Sequence, residues 1–479
     1  MSPSARLPRL FLVLPALLLT PYIISDTVHA LPEASPPGES GAAPEDQESR
    51  IRALEAKVRE LAAAVEALRE SRGPGEAGRL AELERQIDLL TREIERLSIG
   101  EAAAPVAEKP VHGLGPAASK VYQVRQGVSI GGYGELIYQN FDPERDDGSP
   151  AGKTDTLDLA RAVFYFGYKW NDRILFNSEI EFEHATTGVG DEEKGEVSVE
   201  FAYLDFLLRE GFNARAGLLL VPLGFINEMH EPTAFHGVLR PQVERLIIPT
   251  TWRENGAGVF GDLGKFTYRA YLLAGLDSEG FSADEGLREG RQGGSQSAAK
   301  DFALTARLDL TGIPSLLAGV GAYAGDSGQG RIPGNAPVTV VDAHVQYQWR
   351  GLELRCLWSQ VAIGDVEEIN AAAGIAPGSP DSVGERLRGW YSQAAWDILS
   401  LREGAAASLT PFVRYESIDT QDRVPPDYPG DPANDRKWLT FGLSWKPIPQ
   451  VVLKAEYQDA RNGEESGLDQ FNLGLGWIF

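Results

Sequence analysis

The sequence predicts an all-β membrane barrel of about 16 antiparallel strands, preceded by an N-terminal α-helical coiled coil. Three observations support this fold class. Residues 128–479 alternate apolar and polar side chains, short and long connections alternate between the segments, and residues 51–97 repeat apolar side chains at three- and four-residue spacing. A period of two is typical of strands with one apolar face, whereas the mixed spacing of three and four is typical of a heptad seam.

The first 48 residues predict export and no folded core. Arg6 and Arg9 precede an apolar run over residues 10–19, and Val28-His29-Ala30 is a small-x-small cleavage pattern. Residues 1–30 are therefore a predicted signal peptide, with an uncleaved membrane anchor as the alternative. Residues 31–48 contain mainly Pro, Glu, Ser, Gly and Ala without a period, which predicts a disordered tether.

Residues 49–98 predict a coiled coil in two blocks with a hinge at 72–78. The apolar positions are Ile51, Leu54, Val58, Leu61, Val65 and Leu68, then Leu80, Leu83, Ile87, Leu90, Ile94 and Leu97. Such a seam needs a partner, so we favour association between chains over a hairpin within one chain or an isolated surface helix. Residues 99–127 are rich in Ala, Pro and Gly and predict a linker.

Residues 128–479 predict the transmembrane β-barrel. In the last segment, Phe471, Leu473, Leu475, Trp477 and Phe479 alternate with polar residues and glycines. The predicted strands cover residues 128–141, 156–170, 173–185, 196–209, 213–222, 255–262, 265–276, 300–311, 316–325, 338–349, 352–363, 385–397, 405–418, 437–447, 451–461 and 468–479. Short turns on one rim and long loops on the other are typical of an outer-membrane barrel, and an even strand number places both termini on the short-turn side.

The third long connection, residues 223–254, is the predicted inward-folding loop. It has no clear period and contains Pro232, Pro241 and Pro249 as well as many charged residues. Loops of this length inside a compact domain are usually functional, and one that bends into a barrel would set the width and charge of a channel. A disordered surface excursion is the alternative.

Composition excludes several classes of protein. The formal net charge is -24, which argues against nucleic acid as a partner. The single cysteine, Cys356, allows neither an intramolecular disulfide nor a cysteine metal cluster. Mean hydropathy is -0.22, and no apolar run beyond the N-terminus reaches the roughly 18 residues of a spanning helix. A membrane-spanning part must therefore consist of strands.

The alternation predicts which charged residues line the lumen. The predicted cations of the lumen wall are Arg215, Arg269, Arg307, Arg355, Arg414 and Lys454, with Arg161 and Arg388 left open because their segments alternate poorly. The predicted acids are Glu179, Glu181, Asp205, Asp309, Asp342, Glu353 and Glu416. A charged lumen faces water, whereas the lipid face opposes charge. Two interpretations stay open: a line of arginines that attracts anions, or a mixed lining whose ion pairs stiffen the wall.

Within the third loop, the candidate pore-constriction and solute-binding residues are Arg240, Arg245, Arg253, Glu228, Glu231 and Glu244. His230 and His236 lie beside acids, but their spacing fits no zinc motif, so we predict no metal site. We also find no catalytic set and predict neither a cofactor nor enzymatic activity. The acids near residues 142–147 and 277–285 suggest cation bridges to lipopolysaccharide, with solvated loops as the simpler alternative.

The barrel region resembles the phosphate-selective porin family, of the porin O and P type. The resemblance rests on Asn213-Ala-Arg-Ala-Gly217 leading into Pro222-Leu-Gly224, on Asn227-Glu228, on Trp252-Arg253-Glu254 with the Gly-rich strand that follows, and on the terminal Phe479. It implies a trimer of sixteen-stranded barrels, each with an infolded third loop and a basic constriction that passes anions.

Together these patterns favour an outer-membrane porin, a channel for passive diffusion of small hydrophilic solutes or ions with a slight preference for anions. Its expected surroundings are outer-membrane lipid and lipopolysaccharide, with the N-terminal region in the periplasm. The alternative is a structural envelope protein whose coiled-coil stalk binds peptidoglycan or a periplasmic partner while the barrel serves as an anchor. A barrel enzyme such as a lipase is the least favoured class.

Overall fold

Sixteen antiparallel strands form a closed barrel in the computed structural model, which describes residues 47–71, 79, 82–83, 85–91, 111–187, 195–402 and 405–479. Each strand pairs with its neighbours in the chain, and β1 pairs with β16 to close the sheet. The predicted barrel and its strand number are thus confirmed. The predicted signal peptide, the hinge at 72–78 and the tether up to residue 46 lie outside the described residues.

The strand bounds follow the predicted segments closely. They are β1 (Gly127–Phe141), β2 (Thr156–Asn171), β3 (Ile174–Glu183), β4 (Val197–Arg209), β5 (Phe212–Leu220), β6 (Arg253–Leu263), β7 (Phe266–Ala274), β8 (Phe302–Ile313), β9 (Leu316–Asp326), β10 (Pro337–Trp349), β11 (Leu352–Ile363), β12 (Arg386–Trp396), β13 (Ser408–Arg423), β14 (Asp435–Ile448), β15 (Val451–Asn462) and β16 (Gln470–Ile478). Turns such as residues 264–265 and 350–351 define the short-turn rim, and the opposite end is the long-loop rim.

Side chains alternate between the two faces of the wall along each strand. In β8, Phe302, Leu304 and Leu308 are exposed on the outside, whereas Arg307 and Asp309 are buried inside. The pleat of a strand sends successive side chains to opposite faces, so one alternating sequence produces both surfaces. An apolar exterior around a charged interior is typical of a barrel that crosses a membrane.

The barrel closes where the C-terminus meets β1. The backbone groups of Gly132 and Phe479 exchange hydrogen bonds of 3.0 and 2.9 Å. The rings of Phe479 and Trp477 lie over Gly132 and Gly134, where a Cβ atom would overlap them, and a Cβ on Gly132 would also overlap the carbonyl oxygen of Val163. The closing strand pair therefore requires a bare backbone at these positions.

We expect Gly132→Ala to impair closure of the barrel. The added methyl group meets a backbone oxygen that cannot rotate away, and overpacking of this kind typically costs about 1 to 3 kcal/mol. Gly430→Ala is the matched control, because the nearest atom to its new methyl group would be 4.0 Å away. The measurement is the fraction of refolded protein with heat-modifiable mobility on a denaturing gel. Equal refolding of the two variants would contradict this account of closure.

The helical part of the chain before the barrel is described only in part. Helix α1 (Gln47–Ser71) covers the first predicted heptad block, and the described residues 82–83 and 85–91 of the second block are also helical. Glu55 of α1 lies 3.6 Å from the guanidinium of Arg125. Among the described residues, no helix has the length and apolar character needed to cross a bilayer. Association of the helices into a coiled coil stays a prediction.

Residues 111–126 fall within the predicted linker but pack inside the barrel. They contain the short helix α2 (Lys120–Gln123), and Leu114, Ala117 and Val121 are each only 1% exposed. A flexible linker would leave such side chains in water. The described end of this segment is therefore part of the folded barrel rather than a spacer outside it.

Three long connections fold over or into the long-loop end. Loop 3 (residues 221–252) contains helix α3 (Val243–Leu246), loop 4 (residues 275–301) contains two short 3-10 helices, and loop 6 (residues 364–385) contains helix α4 (Val366–Ala372). Loop 3 supplies much of the buried apolar core, including Leu223, Leu246, Ile248 and Trp252. The principal core of the molecule thus lies inside the barrel.

Candidate functional site: the lumen and loop 3

Asn227 fixes the base of loop 3, where the chain leaves the wall. Its side-chain amide donates to the carbonyl oxygens of Val221 (2.6 Å) and Trp252 (2.9 Å), and its carbonyl oxygen accepts from the Trp252 backbone at 2.6 Å. Pro222 has no N–H with which to continue the strand ladder. These contacts hold the two ends of the loop together, so the intervening residues project as one unit.

Loop 3 reaches across the lumen to strands from β3 to β15. Its partners on the wall include Glu179 of β3, Arg269 of β7, Arg307 of β8, Glu353 of β11, Tyr391 of β12, Glu416 of β13, Lys446 of β14, and Lys454 and Glu456 of β15. Because the wall side chains are polar and point inward, a loop with free backbone groups finds partners on every side. Solutes that cross the barrel must therefore pass loop 3.

Two of the predicted constriction acids hold backbone groups rather than facing open water. Glu244, which is fully buried, accepts from the amides of Phe225 (2.7 Å) and Ile226 (2.6 Å) and from the hydroxyl of Tyr391 (2.6 Å). Glu231 accepts from the amides of Ala117 (2.9 Å) and Ala118 (3.2 Å). Carboxylates that accept several amides make strong hydrogen bonds. Both acids therefore position the loop.

Glu228, the third predicted constriction acid, belongs to a charged cluster with the wall. It lies 3.1 Å from Arg269 and 3.8 Å from Arg307, and each of these arginines also pairs with Asp309, at 3.1 and 2.8 Å respectively. Arg307 further donates to the carbonyl oxygen of Gly224. The cluster ties loop 3 to β7 and β8 and leaves neither arginine without an acid.

The other predicted wall arginines also lie inside the barrel with acidic partners. Arg215 pairs with Asp205 at 2.7 Å, Arg414 with Glu416 at 2.7 Å and Arg355 with Glu353 at 3.3 Å. Arg161 pairs with Glu181 at 3.5 Å, whereas Arg388 points outward near the long-loop rim, where its side chain is 60% exposed and meets Asp422. This arrangement favours a mixed lining over an uncompensated line of arginines.

The three predicted loop arginines lie in different surroundings. Arg245 is on the long-loop side, 2.9 Å from Glu285 of loop 4, and Arg253 begins β6 at 2.7 Å from Glu200. Arg240 is partly buried, and its Nε and Nη2 atoms have no hydrogen-bond partner in the part of the chain that the structure describes. Of these three side chains, Arg240 has the guanidinium least compensated by its neighbours.

Loop 4 packs against loop 3 through arginines that donate to carbonyl oxygens. Arg291 donates to Pro249 at 3.1 Å and to Thr251 at 3.2 Å, and Arg288 donates to Thr250. Burial, together with the nearby positive charges of Arg291 and Arg245, lowers the pKa of Arg288 to about 10. Arg288 is still charged at neutral pH, so this contact between the loops persists there.

A cavity of about 860 Å³ lies between loop 3 and the short-turn rim. Phe225 and His236 of loop 3 line it on one side, and wall residues such as Arg269, Arg355 and Lys446 line it on another. Its charged lining also includes Glu228, Asp262, Asp309 and Glu353, so cations and acids are mixed. Its size and polarity suit small hydrated solutes.

One inward-facing histidine of the wall, His344, was not among the candidate residues predicted from the sequence. His344 of β10 contacts Asp342 through Nδ1 at 2.6 Å and Asp309 through Nε2 at 2.9 Å. The alternation along β10 places His344 inside the barrel, and this alternation could have identified it in the sequence as a lumen residue. The two histidines of loop 3 are held apart: His230 meets Glu179 at 3.0 Å and His236 meets Glu353 at 3.3 Å.

No family model matches the chain. A protein of Aquifex aeolicus (strain VF5), described as uncharacterized, is 40% identical over 388 residues, which cover 79% of this chain and 86% of the relative. The chain belongs to the family of this Aquifex protein. Because the match covers most of both chains, the relative offers natural variants of the barrel for comparison.

Several solved outer-membrane proteins share weaker similarity. An anion-selective porin from Comamonas acidovorans is 11% identical, and the match covers 74% of this chain and all of that chain (100%) with a TM-score of 0.47. The outer membrane channel DcaP of Acinetobacter baumannii is 14% identical, with 74% and 97% covered and a TM-score of 0.47. Salmonella typhi OmpF is 10% identical, with 74% and 98% covered and a TM-score of 0.48.

Proposed function

We propose that the protein is an outer-membrane porin that forms a water-filled channel for passive diffusion of small hydrophilic solutes or ions. The observation that carries the proposal is a closed sixteen-strand barrel that is apolar outside and encloses a charged cavity of about 860 Å³ beside an inward-folded loop. A structural anchor needs only the apolar exterior. Buried charges along the whole lumen are costly unless they face water or one another, and they are useful to a channel.

The proposed selectivity is a slight preference for anions, set mainly by Arg240. The wall arginines have acidic partners, and Glu231 and Glu244 accept hydrogen bonds from the backbone, so neither group supplies a large excess of charge. The guanidinium of Arg240 on loop 3 has two buried nitrogens without a hydrogen-bond partner among the described residues. The resemblance to phosphate-selective porins supports the same sign of selectivity, and phosphate is the anion that it suggests.

Arg240→Ala is expected to lower the anion-to-cation permeability ratio by about two- to threefold. A unit charge about 7 Å from an ion in water changes the free energy of that ion by about 0.6 kcal/mol, which corresponds to a two- to threefold change in the permeability ratio. The matched control is Arg245→Ala, because Arg245 is already paired with Glu285 and its side chain is 43% exposed. The measurement is the reversal potential under a KCl gradient. A larger effect at Arg245 than at Arg240 would refute the assignment.

The proposed arrangement in the envelope places the short-turn rim and both ends of the chain in the periplasm. Helix α1 and the second heptad block then form a periplasmic coiled coil between subunits, and the barrel assembles as a homo-oligomer, with a trimer as the expected state. The apolar exterior contacts outer-membrane lipid, and the long-loop rim contacts lipopolysaccharide. Chemical cross-linking of detergent-purified protein tests the number of subunits.

A second candidate function is a structural one, and the 25-residue helix α1 with its heptad seam favours it. In this alternative the stalk binds peptidoglycan or a periplasmic partner, and the barrel is an anchor. Deleting residues 31–98 separates the two functions while sparing residues 111–126. The channel proposal expects conductance to persist, whereas the anchor alternative expects loss of attachment between envelope layers.

Liposome swelling tests the proposed function directly. Protein reconstituted into liposomes should admit small sugars and small anionic solutes at rates that fall steeply with solute size, because passage is limited by loop 3. Heat-denatured protein added to the same lipids is the control. Liposomes that contain folded protein but remain impermeable to every small solute would contradict the proposal.

A further inference from the structure

We propose that residues 111–124 form an internal plug that enters the barrel from the short-turn side and restricts the channel. The proposal rests on the proposed porin function and adds to it a displaceable element formed by the chain itself. The plug contacts each strand from β1 to β7. Its residues Val111, His112 and Gly113 line one side of the cavity beneath loop 3. Its removal would therefore join the space it occupies to that cavity.

The first attachment of the plug is to loop 3. The amides of Ala117 and Ala118 both donate to one carboxylate oxygen of Glu231, at 2.9 and 3.2 Å. Glu231 is only 1% exposed, and the side chain of Asn177 on β3 donates to the carbonyl oxygen of Ala118 at 3.0 Å. The plug thus bridges the loop that crosses the lumen and the wall beside it.

The second attachment is to the wall through Tyr122. Its hydroxyl donates to Asp205 at 2.7 Å and accepts from Arg215 at 2.9 Å. The ring of His112 packs edge-on against Tyr122, with 5.0 Å between ring centroids, and against Phe260 at 4.8 Å. The plug therefore covers the Arg215–Asp205 ion pair and bonds to both of its members, which would otherwise face the lumen.

The wall is shaped to receive the plug at two glycines. Gly131 and Gly167 are inward-facing strand residues without a left-handed φ angle, so backbone freedom does not explain them. A Cβ atom on Gly131 would lie 2.9 Å from the carbonyl oxygen of Ala117, and one on Gly167 would lie 2.5 Å from Cγ2 of Val121. Glycine in a strand interior often marks the close approach of another backbone. Here that backbone is the plug.

The plug can leave without breaking the barrel. It contributes no strand to the sheet, and Gly127, with a φ angle of +102°, separates it from the rest of β1. Its polar attachments are hydrogen bonds to Glu231, Asp205, Arg215 and Asn177, which water can replace once the plug is displaced. The burial of Leu114, Ala117 and Val121 opposes that displacement, so the plugged state is the resting one.

The test compares full-length protein with three variants in planar bilayers. The first variant lacks residues 111–124. The second, Gly167→Val, places a side chain where Val121 lies and should expel the plug. The third combines Gly167→Val with Val121→Ala and should readmit it. A second readout is the labelling rate of Ser119→Cys by a water-soluble maleimide in a Cys356→Ser background, because Ser119 is 0% exposed in the plugged state.

We expect the deletion and Gly167→Val to raise conductance at least about twofold, since conductance follows the open cross-section, and Gly167→Val to speed labelling of position 119. The double variant should return both readouts toward wild-type values. Equal, non-zero conductance in all four proteins, with unchanged labelling, would overturn the plug and leave the channel intact. Absence of current in all four would overturn the proposed channel itself and, with it, the restriction of current by the plug.

Discussion

Replacing residues 225–250 of loop 3 with a short Gly-Ser connection is expected to raise single-channel conductance about threefold or more and to abolish the anion preference. Loop 3 spans the lumen from Glu179 on β3 to Glu456 on β15, so its removal clears most of the cross-section. The barrel should remain closed, because strand pairing between β1 and β16 does not involve the loop. Conductance in planar bilayers is the measurement.

Shortening the first long loop, by removing residues 144–150, is the matched control. This loop bonds mainly to itself and to the neighbouring rim, as in the contact of Arg145 with the carbonyl oxygen of Ser466 at 3.0 Å. Its loss should leave conductance nearly unchanged. Unchanged conductance after the loop 3 replacement, in protein that still migrates as a folded barrel, would show that the narrowest part of the pathway lies elsewhere.

Glu244→Ala is expected to loosen the attachment of loop 3 to the wall. The free energy that holds the loop in place should fall by about 3 kcal/mol or more. The substitution leaves the buried amide of Ile226, the partly buried amide of Phe225 and the buried hydroxyl of Tyr391 without their acceptor. Each unsatisfied buried group costs about 1 to 3 kcal/mol. Amide hydrogen exchange in loop 3 should therefore accelerate about 100-fold, since every 1.4 kcal/mol is a factor of ten.

Tyr391→Phe is the control for Glu244→Ala. It removes one of the three donors and leaves the carboxylate bonded to both amides, so its expected cost is about 1 kcal/mol. Exchange in loop 3 should then accelerate about tenfold or less. Equal acceleration in the two variants would show that Glu244 does not organise the loop and that its apolar contacts alone hold it in place.

The strands could be predicted from the sequence because lipid outside and charge inside impose a period of two. Where both environments act, the predicted bounds are close: β9 was expected over 316–325 and spans Leu316–Asp326. Strand β13 was expected to end at residue 418 but continues to Arg423. Beyond Ile418 the side chains are polar on both faces, so the alternation that marks a strand in the membrane is lost.

The roles of the loop charges could not be predicted from the same pattern. Glu231 and Glu244 look in the sequence like charges that face the lumen, yet each accepts backbone amides that only the folded path of the chain brings near. Residues 111–124 have the small residues and lack of period of a linker. The space that they occupy is left by Gly131 and Gly167 of the wall, and no local sequence pattern connects these glycines to residues 111–124.

The central claim, that this barrel conducts, is tested most directly by single-channel recording of the full-length protein under a KCl gradient. We expect discrete, steady current steps with a reversal potential on the anion-selective side, and larger steps when residues 111–124 are deleted. A cation-selective potential would keep the channel and refute the role of Arg240. No current from folded, inserted protein, with or without residues 111–124, would contradict the channel and favour the structural alternative.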